Sequence, residues 1–564
     1  MTSSIPPAFI FLAAALLTVV SPAPLRRFLV PAVPLLGGIN LWFVWGGTDG
    51  LEVPLLDTRL TLLRADSLSL LFGLLFHIAA FLGAVFAFHV RDRLQQAGVL
   101  IYAGSTLGAV FAGDLITLVI FWEGATLGSV LLILARRTPR AVRAAMRYLV
   151  FQLVSGLLLL GGAVILIGDT GSAAFGHIGI DSLPGVLIFV AFGIKCGFPL
   201  VHTWLTDAYP ESTPTGMVFL SAFSTKLAVY ALARGYAGTE VLIPIGTAMT
   251  AFPIFYAVIE NDLRRVLAYS MINQIGFMVV GVGIGTTLAL NGAVSHVFSH
   301  VIYKALLIMS MGAVLHQTGK INGSELGGLY KSMPQTTGLC IVGAASISAF
   351  PLFSGFVSKS MVMSAAIAEG HWIVWILLLF ASAGVFHHAG IKVPYFAFFA
   401  HDSGIRTREA PLNMRIAMAM AAILCIVIGS YPAWLYALLP YEVGYVPYTG
   451  SHVLVQVQLL FFSALAFVFL NLVGLYPPEL RSVNIDSDWL YRRLLPGIAR
   501  RVEGAVAALT SGIREQSARG ADRLFHLIAQ QHRPGGVLAR TWPTGAAALW
   551  ILVLLGACLV IYYV

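Results

Sequence analysis

The stretch AFGIKCGFPLVHTWL, residues 191–205, places a lysine, a proline and a histidine in a run that is otherwise apolar enough to span a bilayer. An ammonium group at the depth of Lys195 costs at least ~2.5 kcal/mol on insertion scales. Pro199 removes a backbone hydrogen bond and is expected to break the helix. We expect carbonyl groups and a hydrated pocket at that break to solvate Lys195, since broken helices occur where protein or water satisfies the backbone.

The composition of the whole chain is typical of a polytopic membrane protein. Its 564 residues are 58% hydrophobic and only 10% charged, whereas soluble domains contain about 25% charged residues. Apolar runs near the ~20 residues that a spanning helix requires recur from end to end, about sixteen in all. The short alternating segments of a β-barrel are missing from the sequence. The sequence therefore predicts an all-α polytopic membrane protein with about 14–16 transmembrane helices.

Basic residues mark every second loop between these runs. Arg26 and Arg27 follow the first run, Arg91 and Arg93 follow the third, and five arginines lie within 136–147 after the fifth. Because cytoplasmic loops carry the excess of arginine and lysine, these loops are predicted to be cytoplasmic and the N-terminus periplasmic, in a bacterial cytoplasmic membrane. The net charge of +9 is thus explained by orientation and does not indicate nucleic acid binding.

A short motif that occurs twice in the chain indicates an internal repeat. Phe-Pro-Leu occurs at 198–200 and again at 350–352, in the seventh and twelfth apolar runs. An offset of five spans puts the two copies in opposite orientations, as in transporters built from inverted repeats with sites at broken helices. We therefore predict two inverted five-helix repeats, each with one broken helix, at Pro199 and at Pro351.

The only long polar region follows the fifteenth run. Apolar residues recur there at helical spacing with arginines on the other faces, which favours an amphipathic helix on a membrane surface or a partner over a solvated linker. The predicted regions are N-terminal transmembrane helices (1–95), a first repeat (96–235), a second, inverted repeat (236–400), C-terminal transmembrane helices (401–476), a cytoplasmic amphipathic segment (477–542) and a final transmembrane helix (543–564).

Ionisable residues inside the predicted spans form a series. Carboxylate, lysine and histidine side chains can gain and lose protons when a low dielectric and nearby charges shift their pKa. Apolar residues would pack as well, so the series predicts a polar path for protons, with a metal cation as a further candidate cargo. Its members are Glu123, Lys195, Lys226, His296, His300, Lys304 and Lys359, and Lys392 also lies in a predicted span. Judged alone, Lys359 and Lys392 are equally consistent with lysines that extend to the interface.

No catalytic triad, phosphate loop or cofactor motif accompanies this series, and the four cysteines are scattered singly. The sequence therefore predicts no catalytic residues, no cofactor and no bound metal in this chain. No oxygen-rich cation cage is evident in the sequence. The sequence therefore does not distinguish between transport of sodium, transport of potassium and transport of protons only.

Five motifs resemble the antiporter-like membrane subunit family, which is shared by respiratory complex I, membrane-bound hydrogenases and the Mrp cation/proton antiporters. They cover about residues 65–400 and resemble the short D-type subunit of the Mrp antiporters most. The motifs are KCGFPLVHTWLTDAYPESTP, NDLRRVLAYSMINQIGF, HVFSHVIYKALLIMSMGAV, GGLYKSMP and SAFPLFSGFVSK.

The resemblance implies roles for individual residues. Glu123 matches the glutamate of the fifth span, which pairs with Lys195, and Lys226 matches a bridging lysine. His300 and Lys304 match the central relay, and Lys359 matches the lysine of the second broken helix, nearest one outlet. Four positions depart from the family pattern and put the finer proton path in question: Thr206, Ser221, Asn273 and Gln274.

Two functions remain open at this stage. The first is a cation (Na⁺)/proton antiporter subunit, working with other membrane subunits in the lipid bilayer and not itself an enzyme. The second is a proton-pumping subunit of a complex I-like, hydrogenase-like or carbon-hydrating complex whose catalytic site lies on another chain. Neighbouring genes would discriminate between them.

Overall fold

The computed structural model describes residues 5–45, 50–55, 58–480, 484–540 and 542–563. A few residues of the predicted regions 1–95, 477–542 and 543–564 lie outside the described residues. The chain divides into two compact units, Met1–Asp486 and Ser487–Val564.

The first unit is helical, with one short β-hairpin made by β1 (Leu51–Leu55) and β2 (Thr58–Leu63) among its described residues. Its α-helices, over the same residues, are α1 (Pro7–Val20), α2 (Ala23–Trp45), α3 (Ser67–Phe86), α4 (Arg93–Phe111), α5 (Leu115–Leu134), α6 (Pro139–Thr170), α7 (Leu183–Cys196), α8 (Thr203–Ala208), α9 (Gly216–Ala222), α10 (Ser224–Gly235), α11 (Leu242–Ile259), α12 (Leu263–Ile284), α13 (Thr287–Thr318), α14 (Pro334–Ile347), α15 (Ser354–Ala368), α16 (Trp372–Val385), α17 (Leu412–Ser430), α18 (Ala433–Tyr436) and α19 (Gly450–Leu472).

Shorter helical turns connect or extend these elements. Two 3₁₀ turns, Gly323–Glu325 and Leu329–Lys331, lie between α13 and α14. Two π-helical segments, Phe386–Lys392 and Tyr395–Phe399, follow α16.

The second unit contains a π-helical turn, Leu490–Leu494, that leads into α20 (Leu495–His532), and a last helix, α21 (Thr544–Tyr563). The helix predicted within 477–542 is thus present as α20, and the final span is present as α21. What the apolar side of α20 contacts stays a prediction.

Twelve helical stretches in the described parts of the chain are long and apolar enough to cross a membrane, and α1 and α7 are shorter apolar helices. The midpoint of each apolar run predicted from the sequence falls within a helix of the structure. The prediction of an all-α polytopic membrane protein is confirmed. The boundaries of the two repeats stay predictions.

Polar side chains lie in the interior of the protein and apolar side chains lie on its surface, as expected of a protein in lipid. Helix α13 is buried without interruption from Ala289 to Val314, and this stretch includes histidines and a lysine. Helix α6, in contrast, exposes apolar side chains such as Leu157 and Val164. The polar groups therefore lie along the protein interior, and the exposed surface of the helices suits hydrocarbon.

The two predicted helix breaks are present and have the same backbone conformation. At the first, between α7 and α8, Gly197 and Leu200 have positive φ angles of 85° and 72°. At the second, between α14 and α15, Ala349 and Leu352 have φ angles of 57° and 74°. Positive φ is uncommon for leucine and alanine, so two turns that repeat it at matching positions indicate a shared, constrained geometry.

The hydrogen bonds of the two breaks also match. The amide of Phe198 donates to the carbonyl of Gly193 at 3.0 Å, and that of Phe350 donates to Ala345 at 3.0 Å. Their lysines differ, because Lys195 precedes its break whereas Lys359 follows the second one. The two breaks therefore share the conformation of the backbone turn. They differ in the position of the lysine relative to that turn.

Glycine allows α11 and α12 to pack closely, which leads to a first prediction. A Cβ atom at Gly276 would lie 2.6 Å from the carbonyl oxygen of Gly246 and 2.7 Å from the amide nitrogen of Thr250, and neither backbone can yield freely. We expect Gly276→Ala to lower the melting temperature of the purified protein, since membrane helices that approach through small residues lose packing when separated.

Gly338→Ala is the matched control, because nothing lies within 4 Å of a Cβ at that helical position. Alanine there should leave the melting temperature unchanged or raise it slightly, as alanine is the better helix former. Equal melting temperatures for the two variants would show that the α11–α12 approach is not tight.

Candidate functional site

The basic residues predicted to form the relay are all in the protein interior. Their side chains come from α7, α10, α13 and α15, and Glu123 lies on α5. Lys195, Lys226, His296, His300 and Lys304 are fully buried, and Lys359 is 1% exposed.

The ion pair predicted between Glu123 and Lys195 is not formed. Lys195 Nζ donates instead to the carbonyl of Trp122 at 3.1 Å and to Thr126 Oγ1 at 3.3 Å, and it lies 4.3 Å from the centre of the Trp122 ring. The reason is helical geometry, because residues four apart share a face of α5 whereas Glu123 points about 100° away from Trp122. The Glu123 carboxylate packs against Gly156 of α6.

The expectation that carbonyls at the Pro199 break solvate Lys195 is also wrong, since both of its acceptors belong to α5. Carbonyls at helix interruptions hold two other lysines. Lys359 Nζ donates at 3.0 Å to the carbonyl of Ile347, the last residue before the second break. Lys226 Nζ donates at 2.6 Å to Ser221, across the interruption that separates α9 from α10.

Lys226 has two more close neighbours. Its Nζ lies 3.1 Å from Thr225 Oγ1 and 3.3 Å from the sulfur of Met271 on α12. Ser221, one of the four departures from the family pattern, thus contributes its backbone to the site. The departure at this position therefore retains an acceptor for the lysine.

The three residues at four-residue spacing lie along α13 as predicted. Lys304 Nζ donates to Ser270 Oγ at 2.9 Å, and His296 Nδ1 is 3.1 Å from Ser358 Oγ on α15. His300 lies between them, with its ring centre 6.3 Å from that of His296. Neither ring nitrogen of His300 has a hydrogen-bond partner among the residues that the structure describes.

Two side-chain amides on α12 also belong to the site. Tyr303 OH donates to Gln274 Oε1 at 3.0 Å, and Gln274 Nε2 donates to Asn273 Oδ1 at 2.6 Å. Asn273 Nδ2 in turn donates to the carbonyl of Thr250 on α11. Asn273 and Gln274, noted above only as departures from the family pattern, thus form a polar chain beside the histidines. Two adjacent amides in an apolar run were the signal.

The lysine of the second broken helix borders a small cavity. This cavity has a volume of about 100 Å³ and lies next to Lys359. His452 and Gln456 of α19 line it with Ser360 and Ser364, so residues beyond the predicted repeats contribute to this end of the site.

The opening motif has a further polar contact. His202, at the end of the first break, places Nε2 3.2 Å from Asp486 Oδ2. Tyr269 OH donates to the same oxygen at 2.7 Å. Asp486 is far from both residues in sequence, and no local pattern predicts the contact.

Lys392, left undecided by the sequence, is buried and does not extend to the interface. Its Nζ lies 2.9 Å from Glu479 Oε1 and donates to the carbonyl of Glu260 at 2.7 Å. In the described part of the chain, no three His, Cys, Asp or Glu side chains form a group that could bind a metal ion.

The site is therefore a series of buried groups that can each bind and release a proton, separated by hydroxyls, amides and backbone carbonyls. Such side chains in a membrane interior are rare and mark ion paths and proton relays. The arrangement brings the titratable residues predicted from the sequence into the protein interior, and their role in proton movement stays a prediction.

Residues 112–385 match the family described as "NADH:quinone oxidoreductase/Mrp antiporter, TM". The match covers nearly half of the chain, so this part of the chain is similar to the family. The resemblance seen in the motifs is confirmed, and the match includes all seven predicted relay residues.

Two curated relatives illustrate the similarity. The chain is 29% identical over 309 residues to the D subunit of the Na⁺/H⁺ antiporter of Alkalihalophilus pseudofirmus, a match that covers 50% of this chain and 62% of that protein. It is 32% identical over 317 residues to the N subunit of the NADH-quinone oxidoreductase of Desulforudis audaxviator, covering 52% of this chain and 62% of that protein. The similarity thus spans less than two thirds of the length of these relatives.

Solved structures share the fold. A chain of the Mrp complex from Dietzia sp. DQ12-45-1b aligns with a TM-score of 0.70 at 22% identity, over 77% of this chain and 95% of that one. A chain of the archaeal membrane-bound sulfane sulfur reductase aligns with a TM-score of 0.71 at 21% identity, over 98% of this chain and 99% of that one.

Proposed function

We propose that this chain is an ion-translocating membrane subunit that moves protons through the buried Glu/Lys/His series, as the component of a multisubunit cation (Na⁺)/proton antiporter that corresponds to the D-type subunit of the Mrp complexes. In this proposal it acts as a transporter subunit and not as an enzyme. Its proposed location is the bacterial cytoplasmic membrane, with the N-terminus in the periplasm and other membrane subunits as partners.

The observation that carries the proposal is the position of His300. This imidazole is fully buried and lies within electrostatic range of Lys226, Lys304 and Lys359. Three lysines around one neutral histidine cannot all be charged at low cost in a low dielectric. Protonating one of them therefore disfavours protonation of the others, and a proton arriving at one end promotes release at another.

The proposed transport sequence uses the relay residues one after another. A proton taken up near Glu123 and Lys195 moves to Lys226, then to His300 and Lys304, and leaves through Lys359 at the second break. Each transfer breaks one N–H or O–H bond and forms another. The carbonyl and hydroxyl acceptors described above hold each ammonium group between transfers.

A second candidate is a proton-pumping subunit of a complex I-like, membrane hydrogenase-like or carbon-hydrating complex. The similarity to the N subunit of an NADH-quinone oxidoreductase supports it. In that case the relay is the same, and the energy comes from a reaction on another chain of the complex.

Cation-driven proton movement tests the first proposal. Inverted membrane vesicles that contain the whole complex are acidified by respiration, and Na⁺ or K⁺ is then added while a fluorescent dye reports the internal pH. We expect cation addition to dissipate the gradient with the native chain and not with Lys304→Ala, which removes the group donating to Ser270. Lys331→Gln is the matched control, since Lys331 is an exposed loop lysine.

Full cation-driven proton movement with Lys304→Ala would contradict the relay. A gradient that does not respond to either cation, in vesicles where a redox substrate drives proton movement through Lys304, would favour the second candidate.

A further inference from the structure

A second group of buried ionisable side chains lies outside the predicted relay. It is on the π-helical segment Phe386–Lys392, where His388 and Lys392 are both fully buried. Gly390 of this segment packs against Ser348 at the second break, so the segment adjoins the relay. Short π-helical segments are rare and occur frequently at functional sites.

The outer end of this group is a buried ion pair. Lys392 Nζ is 2.9 Å from Glu479 Oε1, and it also donates to the carbonyls of Val258 and Glu260 at the end of α11. The C-terminus of a helix carries partial negative charge, which stabilises the ammonium form further. Lys392 is therefore a well-solvated position for a proton.

Glu479 lies between this pair and residues that line a polar cavity. Burial raises the pKa of the Glu479 carboxyl, and the charge of Lys392 opposes that rise. A Cβ atom on Gly323 would lie 3.5 Å from Glu479 Oε2. The neighbouring residues Asn322 and Glu325 line a polar cavity of about 610 Å³, which also includes Arg136 and other residues of the arginine-rich loops.

The inner end of the group is His388. It lies close enough to Lys304 and Lys392 for the charges of both lysines to act on the imidazole. The carbonyl of Gly384 is near its ring, but neither ring nitrogen reaches hydrogen-bond geometry with any described residue. An imidazole used only for packing would be better replaced by an apolar side chain, because an unsatisfied buried polar group costs about 1–3 kcal/mol.

We propose that His388, Lys392 and Glu479 form a branch that carries protons between Lys304 and the polar cavity beside Gly323. The branch rests on the proposed function. His388 accepts a proton on one ring nitrogen and releases one from the other, Lys392 passes it to Glu479, and the carboxyl exchanges it with water in the cavity. Each transfer again exchanges one N–H or O–H bond for another.

Lys392→Arg tests the branch in the whole complex. Arginine keeps the positive charge beside Glu479, but its guanidinium does not release a proton in this range. We expect normal assembly, an unchanged melting temperature, and proton movement below the native rate but above that of Lys304→Ala, because the route through Lys359 stays open. Native proton movement with Lys392→Arg would overturn the branch.

A double variant keeps the test decisive if arginine does not fit. Lys392→Met with Glu479→Leu replaces a buried ion pair by an apolar pair, an exchange that proteins often tolerate without loss of stability. We expect this variant to assemble and to show the same partial loss of proton movement as Lys392→Arg. If it assembles and transports like the native chain, the pair only clamps α11 to the π-helical segment after α16 and the branch is wrong.

Two controls separate this inference from the proposed function. Lys331→Gln with Asp402→Asn removes an exposed ion pair of 3.1 Å and should leave transport unchanged. If Lys304→Ala retains transport, the proposed function fails. If Lys304→Ala loses transport while Lys392→Arg retains it, only the branch fails.

Discussion

Lys195→Arg is expected to abolish coupled proton movement while the protein still inserts and assembles. The buried ammonium of Lys195 is held by one carbonyl, one hydroxyl and the face of an indole ring. These neutral groups stabilise a cation without neutralising it, so the lysine can lose its proton when charge elsewhere in the series changes. A guanidinium in the same place stays protonated, and the path is interrupted.

Lys195→Ala should give the same loss of transport by a different route. It removes the proton-binding group, and it recovers at least ~2.5 kcal/mol of insertion cost. Amounts of both variants in the membrane should therefore match the native chain, while dye-reported proton movement in inverted vesicles falls to background. Full transport by the arginine variant would make Lys195 a structural cation, and the proton-binding group would have to be sought elsewhere in α5–α7.

The fold was largely accessible from the sequence, because its main signals are local. Apolar runs predicted the spans, and proline in Phe-Pro-Leu predicted both breaks. The positive φ angles of Leu200 and Leu352 were not predictable, since leucine rarely adopts them and only the surrounding packing enforces them. The small β-hairpin at Leu51–Leu63 was also missed, within a loop between two apolar runs.

The site was predictable in composition but not in its pairings. Charge in an apolar run identified the buried lysines and histidines, whereas their partners depend on which face of a helix meets which neighbour. For this reason Lys195 donates its hydrogen bond to the carbonyl of Trp122 and not to Glu123. Glu479 follows α19 in a polar segment, so nothing in its local sequence indicates a buried partner such as Lys392.

Replacing Glu123 is expected to cause the second large loss of transport. Its carboxylate has no ion pair with Lys195 and packs against Gly156, and its Oε1 has no hydrogen-bond partner among the described residues. A carboxylate in the protein interior can bind and release a proton, which suits a group at the start of the proposed relay. Glu123→Gln keeps the shape and removes this capacity, so we expect transport to fall to background with normal assembly.

Gly156→Ala tests the position of the carboxylate without changing its chemistry. A methyl group at residue 156 would overlap Glu123 Oε1, and the flexible end of the glutamate would move aside with little cost to folding. We expect a native melting temperature and a marked loss of proton movement in vesicles. Gly161→Ala, on the same helix with nothing within 4 Å, is the matched control and should transport like the native chain. Equal transport by the two alanine variants would show that the carboxylate works from more than one position, and native transport by Glu123→Gln would remove Glu123 from the relay altogether.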